Sequence, residues 1–323
     1  MPDKMDSPPS PYGDFVLPFD IAQAGVRGRL VRLDAASARA LGAHALPEAA
    51  ARVAGEVVAL GALLGTALKL DGRLTIQTKG DGPLDLVTAD YYGADVEPEE
   101  GTSDSLVPRQ ARDRGVRGYA RLDADRFATL DATAFDRLAG KGALAITIEP
   151  RVGGKTYQGI VELSPHGISA SAETYFAQSE QLPTVIRLAA APLYVAGDPK
   201  PHWRAAGMML QMTPETAKQG NETRSDDWDR LSLLLKTVED LELVDTSLSP
   251  ETLLWRLFHE DEVRVLPQER VIFRCDCDTS RITQILRRYT PQEREGLADP
   301  DGVIRARCEF CGKTHEIEPD KLI

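Results

Sequence analysis

Cysteine is absent from most of this chain of 323 residues, because all four cysteines lie at or after position 275. The first residues, MPDKMDSPPSPYGDF, contain no apolar run followed by a cleavage site, so no secretion signal is predicted. The longest uncharged apolar run, residues 57–68, is too short to cross a bilayer as a helix. These absences predict a cytoplasmic protein without a membrane partner, in a compartment where thiols stay reduced.

Positive charge is also scarce, with 38 Lys and Arg against 50 Asp and Glu and a net charge of −12. A general nucleic-acid-binding protein needs a basic face to attract phosphates, so nucleic acid is not predicted as a partner. The deficit is concentrated in residues 211–262, where thirteen Asp and Glu stand against five Lys and Arg, a net charge of −8. From Arg270 onward the chain carries ten charges of each sign, which argues against a basic zinc finger.

The chain lacks the sequence patterns of common catalytic sites. It has no phosphate-binding loop and no G-x-S-x-G motif, and no nucleophile, base and acid can be assigned together. Five histidines are present. Of these, His259 is predicted to pack at a helix end, and His315, although near two cysteines, is predicted to lie at the surface. We therefore predict that the protein is not an enzyme.

Hairpins and helices follow one another without regular βαβ crossovers in the first part of the chain. A helix is predicted over residues 46–70, and alternating runs on either side of Gly80–Pro83 and of Gly153-Gly154 predict two β-hairpins. A helix at 169–182 and strands within 184–212 are also predicted. These features favour an α+β fold with an antiparallel sheet. The predicted divisions are a disordered tail (1–13), an α+β core domain (14–210), an acidic helical linker (211–268) and a small zinc-binding domain (269–323).

The acidic linker is predicted to contain two helices that depend on docking against the core. The first, residues 226–243, carries apolar residues at helical spacing. The second begins at Ser249, an N-cap that is followed by a proline and an acidic residue in the first turn. Charge crowds the remaining faces, so the apolar stripe of the first helix is predicted to hold the linker in place. Its docking residues are Trp228, Leu231, Leu235 and Val238.

The cysteines form two close pairs, Cys275-Asp276-Cys277 and Cys308-Glu309-Phe310-Cys311. Two close pairs separated by a long loop are typical of a tetrahedral zinc site with four sulfur ligands. The tail around them is short and has few large apolar side chains, so the metal is predicted to stabilise its fold. Gly312 suits a turn in which backbone N–H groups point at sulfur.

The cysteine pattern by itself leaves several interpretations open. The zinc site could be purely architectural, could belong to a zinc-ribbon adaptor, or could respond to oxidants, since zinc-bound thiolates are potential nucleophiles. A thiol–disulfide oxidoreductase is a further alternative, because Cys-x-x-Cys occurs in such enzymes. Against the oxidoreductase, the second pair is followed by a predicted strand, whereas thioredoxin-like motifs open a helix.

Several motifs resemble those of the heat shock protein 33 family, the redox-regulated holdase chaperones. The most specific is the cysteine arrangement, which ends in Cys-Glu-Phe-Cys-Gly at residues 308–312. The resemblance covers nearly the whole chain after residue 13. The other matching stretches are GVRG at 25–28, GDGPL at 80–84, VRGY at 116–119, YFAQSEQLPT at 175–184 and LFHE at 257–260.

The resemblance implies that the reduced protein is inactive and holds one zinc ion through Cys275, Cys277, Cys308 and Cys311. Oxidants such as peroxide would form the disulfides Cys275–Cys277 and Cys308–Cys311 and expel the metal. The tail and the linker would then lose structure. The apolar surface exposed in this way would bind unfolding client proteins without ATP, and the oxidised form would tend to form homodimers.

Overall fold

The computed structural model describes residues 13–68, 70–94, 113–130, 133–151, 153–219 and 222–319. The tail predicted to be disordered lies outside these ranges except for Gly13. The chain divides into two compact units, with the boundary between Phe273 and Arg274. The acidic segment, defined here as residues 211–262, belongs to the first unit. The division into core, linker and zinc-binding domains stays a prediction.

Two β-sheets form the frame of the first unit. Numbered along the chain, the strands of the first sheet are β1 (Phe15–Ile21), β2 (Val26–Leu33), β8 (Thr184–Leu193), β9 (His202–Met212), β10 (Val263–Val265) and β11 (Glu269–Arg270). Those of the second sheet are β3 (Gly72–Gly80), β4 (Leu84–Tyr92), β5 (Gly115–Leu122), β6 (Gly142–Pro150), β7 (Tyr157–Glu162) and β12 (Ile272–Phe273). The first sheet has the order β10-β1-β2-β9-β8, with β11 also paired to β1, and the second has the order β12-β5-β4-β3-β6-β7.

Antiparallel pairing dominates both sheets, and the parallel pair of β12 with β5 is an exception. The two predicted hairpins are confirmed as β3–β4 and β6–β7. The helices of this unit are α1 (Ala35–Gly42), α2 (Glu48–Ala67), α3 (Ala124–Ala128), α4 (Phe135–Ala139), α5 (Ile168–Tyr175), α6 (Pro214–Gln219), α7 (Glu222–Lys236), α8 (Asp240–Val244) and α9 (Pro250–Phe258). The α+β fold class predicted from the sequence is therefore confirmed.

Helix α2 lies between the two sheets and is the centre of the larger apolar core. Its glycines allow this close packing: a Cβ on Gly65 would overlap the ring of Tyr91, and one on Gly55 would lie 2.6 Å from the Cβ of Ala190. Among the described residues, α2 is the one helix long and apolar enough to cross a membrane, and 83% of its most apolar 18-residue stretch is buried inside the protein. This burial is that of a core helix.

The acidic segment packs on the face of the first sheet that points away from α2. Leu231, Leu235 and Val238 are fully buried there, and Trp228 is partly buried beside them. The helix predicted over 226–243 is broken, because α7 ends at Lys236 and Glu239 starts α8 with a capping box. Beyond the break the register of the apolar stripe changes: Leu241 is 70% exposed, whereas Leu243 and Val244 of α8 are buried in the same cluster.

A short connector, residues 269–273, ties the two sheets together at the end of the first unit. Its first part, β11, pairs with β1 of the first sheet, and its last part, β12, pairs with β5 of the second sheet. Val271 between them is completely buried in the larger core. The connector is therefore built into both sheets two residues before the first cysteine.

The second unit is small. It contains helices α10 (Thr279–Leu286) and α11 (Pro291–Leu297) and a hairpin of strands β13 (Ile304–Arg307) and β14 (Thr314–Ile317). A capping box starts α11, since the Thr290 hydroxyl accepts from the backbone N–H of Glu293 and the Glu293 carboxylate accepts from the backbone N–H of Thr290. Its buried apolar side chains are Leu286, Ile304 and Ile317.

Candidate metal centre

The first cysteine pair lies in the segment between β12 and α10. Asp278 follows directly and caps α10, because its carboxylate accepts a hydrogen bond of 3.0 Å from the backbone N–H of Ser280. This cap fixes where the helix begins and turns the chain just after Cys277. The backbone N–H of Cys277 in turn donates to the sulfur of Cys275. Local hydrogen bonds thus bring the two sulfurs to the same side of the chain.

The second pair lies in the turn of the β13–β14 hairpin. The backbone N–H of Cys308 donates to the Lys313 carbonyl, and the N–H of Gly312 donates to the Cys308 carbonyl, both at 2.8 Å. Gly312 has φ of +71°, a left-handed conformation that a residue with a Cβ adopts only with strain. The N–H groups of Phe310 and Cys311 point at the Cys308 sulfur. The knuckle-type turn predicted at Gly312 is present.

The fold brings all four sulfurs together. Each lies within 4.8 Å of the others, which is close enough for one metal ion to bind all of them. The distance between Sγ atoms is 3.7 Å for Cys275 and Cys308, and 3.4 Å for Cys277 and Cys311. Each of these two contacts joins a cysteine of the first pair to a cysteine of the second pair. The four side chains are half-buried, so the centre is open in part to small solutes.

The thiols differ in acidity. Burial raises the pKa of the Cys275 thiol and that of the Cys277 thiol, and the neighbouring cysteine sulfurs act in the same direction. Burial would also raise the pKa of the Cys308 thiol, but the N–H groups of Cys311 and Phe310 that donate to its sulfur lower it overall. Of these three thiols, Cys308 therefore ionises most easily.

His315 is buried, and its prediction as a surface residue was wrong. Only 2% of its surface is exposed, and its Nδ1 lies 2.8 Å from the hydroxyl of Thr279 at the start of α10. It occupies the strand position between two outward-facing residues of β14, so strand alternation turns it inward. This alternation was visible in the sequence Thr-His-Glu-Ile and was the signal that could have placed it.

The predicted docking residues lie far along the chain from this centre, in the first unit. The structure also shows a polar contact of the acidic segment that the sequence analysis missed. Arg32 on β2 is 3% exposed and donates hydrogen bonds to main-chain carbonyls of this segment. Strand alternation in VRGRLVRL places Arg32 on the same face as the buried Leu30, which was the available signal.

The fold and the centre define an α+β protein with a small unit organised around four cysteines. The family described as Hsp33 protein matches residues 14–318 of the chain. A 33 kDa chaperonin of Caulobacter vibrioides is 36% identical over 311 residues, which is 95% of this chain and 95% of that protein. One from Nitrosococcus oceani is 33% identical over 300 residues and covers 93% of this chain and 90% of its own.

The solved structures give the same result at the level of the fold. The crystal structure of a 33 kDa chaperonin from Thermotoga maritima covers 96% of both chains with a TM-score of 0.72 and a sequence identity of 19%. The sequence matches, which extend over nearly the whole length of each protein, decide the assignment. The chain belongs to the Hsp33 family.

Proposed function

We propose that the protein is a redox-regulated, ATP-independent chaperone whose cysteine unit holds one zinc ion when it is reduced. The observation that carries the proposal is the cluster of four sulfurs in a unit with only three buried apolar side chains among its described residues. Zinc–sulfur bonds of about 2.3 Å in a tetrahedron place the sulfurs about 3.8 Å apart. The Sγ distances of 3.7 and 3.4 Å fit this geometry. Thiolate ligands favour zinc over hard cations.

The chaperone part of the proposal is supported by family membership, since the relatives with full-length matches are named 33 kDa chaperonins. The proposed clients are unfolding proteins, and the proposed compartment is the cytoplasm, where the reduced zinc form is the resting state. Neither nucleic acid nor a membrane is proposed as a partner. Homodimer formation is proposed for the oxidised form, as the family resemblance implies.

Oxidation by peroxide is proposed to convert the four thiolates into two disulfides. In each pair one thiolate attacks peroxide, which gives a sulfenic acid and hydroxide, and the second thiolate then displaces a second hydroxide to form the S–S bond. Two molecules of peroxide are thereby reduced, and zinc loses its ligands. Disulfide sulfurs are poor ligands, so the metal dissociates.

The proposed disulfides are Cys275–Cys277 and Cys308–Cys311. Neighbours in sequence need the least chain rearrangement once the metal has left, although the shortest sulfur contacts in the folded unit join the two pairs. Of the two proposed bonds, Cys308–Cys311 is expected to form first, because a pair separated by a single residue is more strained. Peptide mapping of the oxidised protein distinguishes this pairing from Cys275–Cys308 with Cys277–Cys311.

The second half of the proposed switch is the acidic segment. When the cysteine unit unfolds, this segment is proposed to leave the first sheet, and its charge of −8 favours the extended state through self-repulsion. Departure exposes the apolar stripe of α7 and the sheet face beneath it. Unfolding clients bind these surfaces.

The test follows zinc and activity together. Peroxide is added to the reduced protein with a chromogenic chelator, and suppression of the aggregation of a denatured client is measured in parallel. The proposal expects one zinc per chain to be released and activity to rise with the same time course. Zinc retained in full after all four cysteines are changed to serine would exclude the proposed ligands.

A further inference from the structure

The face of the first sheet beneath the acidic segment is apolar but contains arginines, of which Arg204 at its edge pairs with the carboxylate of Asp34. On β2, Arg32 shares this face with the buried Leu30. Its neighbours across the sheet are Phe15 on β1 and Ala206 on β9, both buried in the same cluster. Another arginine, Arg187, lies on β8. A charged group in such a place needs hydrogen-bond partners, because burying it without them is costly.

Main-chain carbonyl groups supply these partners for Arg32. Its Nε donates to the carbonyl of Leu243 at 2.9 Å, and one terminal nitrogen donates to the carbonyl of Glu242 at 3.1 Å. The other terminal nitrogen donates to the carbonyl of Leu248. Within the part of the chain that the structure describes, Arg32 forms no ion pair with a carboxylate. Three carbonyls at the end of α8 and in the following turn thus converge on one guanidinium.

Carboxylates are adjacent, yet they are not the groups that Arg32 binds. Glu242 directs its side chain to the backbone N–H of Glu239, at 3.1 Å. Asp245 accepts from the backbone N–H of Ser247, at 2.8 Å. The site therefore binds main-chain carbonyls even though acidic side chains lie within a few residues of them.

Arg187 repeats the pattern in a more exposed position. One of its terminal nitrogens donates to the main-chain carbonyl of Val238 at 3.0 Å and to the carboxylate of Asp240 at the same distance. Across the sheet Arg187 lies opposite the buried Met208. Arg32 and Arg187 thus both bind the main chain of the acidic segment, and apolar side chains surround the contacts.

We propose that Arg32 and the apolar residues around it form a binding site for main-chain carbonyl groups, which the acidic segment fills at rest and an unfolded client fills after that segment leaves. The inference rests on the proposed chaperone function. Every polypeptide carries carbonyl groups, and a guanidinium offers five donors in a fixed plane. A site of this chemistry binds unfolded chains of different sequence, while the flanking sheet face accepts their apolar side chains.

The first arm of the test is the reduced, zinc-loaded full-length chain with Arg32→Met. Hydrogen exchange of the amides in α8 should become faster by about tenfold or more, because a hydrogen bond to a charged group shifts an equilibrium by at least about this factor. Arg32→Lys keeps the charge but not the planar guanidinium, so its exchange rate in α8 should lie between those of wild type and Arg32→Met. Equal exchange in wild type and Arg32→Met overturns the proposal.

The second arm uses the same chains after peroxide oxidation and zinc release. The dissociation constants of two stably unfolded, dye-labelled probes are measured by fluorescence anisotropy: reduced carboxymethylated α-lactalbumin, which is acidic, and reduced carboxamidomethylated lysozyme, which is basic. Arg32→Met should weaken binding of both by a similar factor, about 5- to 10-fold for the loss of charge-assisted bonds. Unchanged binding of both, or weaker binding of the acidic probe alone, overturns carbonyl recognition.

Two comparisons make the result decisive. Arg121→Met removes an exposed arginine of the second sheet that pairs with Asp85, and should change neither measurement. If Arg32→Met does not fold, as judged by circular dichroism and zinc content, Arg32→Lys replaces it in both measurements. If the oxidised wild-type chain binds neither probe, the proposed chaperone function itself is contradicted. If the oxidised wild-type chain binds both probes and Arg32→Met and Arg32→Lys bind them equally well, only the carbonyl site is contradicted.

Discussion

The acidic segment and the cysteine unit are stabilised in different ways. The acidic segment places nine buried apolar side chains against the first sheet, in a cluster that includes Leu231, Leu235 and Phe258. The cysteine unit buries three apolar side chains of its own among its described residues. A small unit with so little apolar burial needs another source of stability, and four converging sulfurs provide a place for one.

In the proposed switch, this difference separates the four sulfurs, where an oxidant would act, from the acidic segment, which covers a large apolar surface of the first sheet. Under the proposed function, oxidation of the sulfurs would remove the metal that stabilises the cysteine unit. It does not touch the apolar and carbonyl contacts of the acidic segment. In the proposed switch, docking of that segment therefore opposes activation, and variants that weaken its docking are expected to act without an oxidant.

Removal of the metal should produce the largest effect. A strong chelator, or Cys308→Ser with Cys311→Ser, should unfold the cysteine unit, because structural zinc contributes about 10–16 kcal/mol in sites of this kind. Hydrogen exchange should show residues 274–319 losing protection while the core around α2 keeps it. A metal-free cysteine unit that stays as protected as the zinc-loaded one would remove the basis of the comparison.

A charge in the docking stripe should produce the next largest effect. Leu235 is completely buried, and Leu235→Asp should destabilise docking by about 3 kcal/mol or more, through lost packing and an unpaired buried charge. The variant should suppress client aggregation while it is still reduced and zinc-bound. Leu233→Asp is the matched control, because Leu233 lies on the same helix and is 64% exposed. Equal behaviour of the two variants would show that docking does not restrain activity.

The pH should affect docking through Glu56 on α2. Burial and, next, the charge of Asp240 on α8 raise the pKa of Glu56 from 4.5 to about 7, against the opposing effects of Arg52 and Arg187. Between these values the folded protein binds more protons than the unfolded protein. The free energy of unfolding therefore falls by up to about 3 kcal/mol as the pH rises from 4.5 to 7, and falls no further above 7.

Glu56→Gln should remove this part of the pH dependence, as measured by urea unfolding of the reduced protein at several pH values. The carboxylate of Glu56 and that of Asp240 no longer repel one another in the variant, so the acidic segment should also be better protected at pH 7.5. Glu162→Gln, at an exposed position, is the control and should keep the wild-type profile. A profile of Glu56→Gln that coincides with wild type would contradict the assignment.

The smallest expected effect comes from an ion pair within the acidic segment. Arg230 on α7 donates two hydrogen bonds, of 2.9 and 2.7 Å, to the carboxylate of Asp261 after α9. Asp261→Asn should weaken docking by about 1 kcal/mol, the upper part of the range for such pairs. Protease cleavage between α7 and α9 should accelerate by a few-fold. Asp227→Asn, whose contact with Arg230 is 3.5 Å long, should change the rate less.

The sequence predicted the parts of the fold that depend on local pattern. Apolar alternation and the glycine turns identified both hairpins, and Ser249 correctly marked the start of α9, where its hydroxyl accepts from the N–H of Thr252. The cysteine spacing identified residues that the fold gathers within 4.8 Å. In the hairpins and at Ser249 a few neighbouring residues carry the whole signal, and at the cysteines two short motifs carry it.

The contacts that depend on distant parts of the chain were not predicted. The break between α7 and α8 is fixed partly by Arg187 on β8, which donates a hydrogen bond to the Val238 carbonyl. Arg32 lies more than two hundred residues before the carbonyls it binds. The connector at 269–273 pairs with both sheets, and nothing in its short sequence specifies those partners.

The central claim is that the acidic segment is docked in the reduced protein and leaves the first sheet after oxidation. Hydrogen exchange of residues 226–262 in the zinc-loaded reduced form and in the peroxide-oxidised, zinc-free form tests it most directly. We expect protected amides in α7 and α9 in the reduced form and loss of that protection in the oxidised form, with the core around α2 unchanged. If the segment is as protected in the oxidised form as in the reduced form, it is not part of the switch.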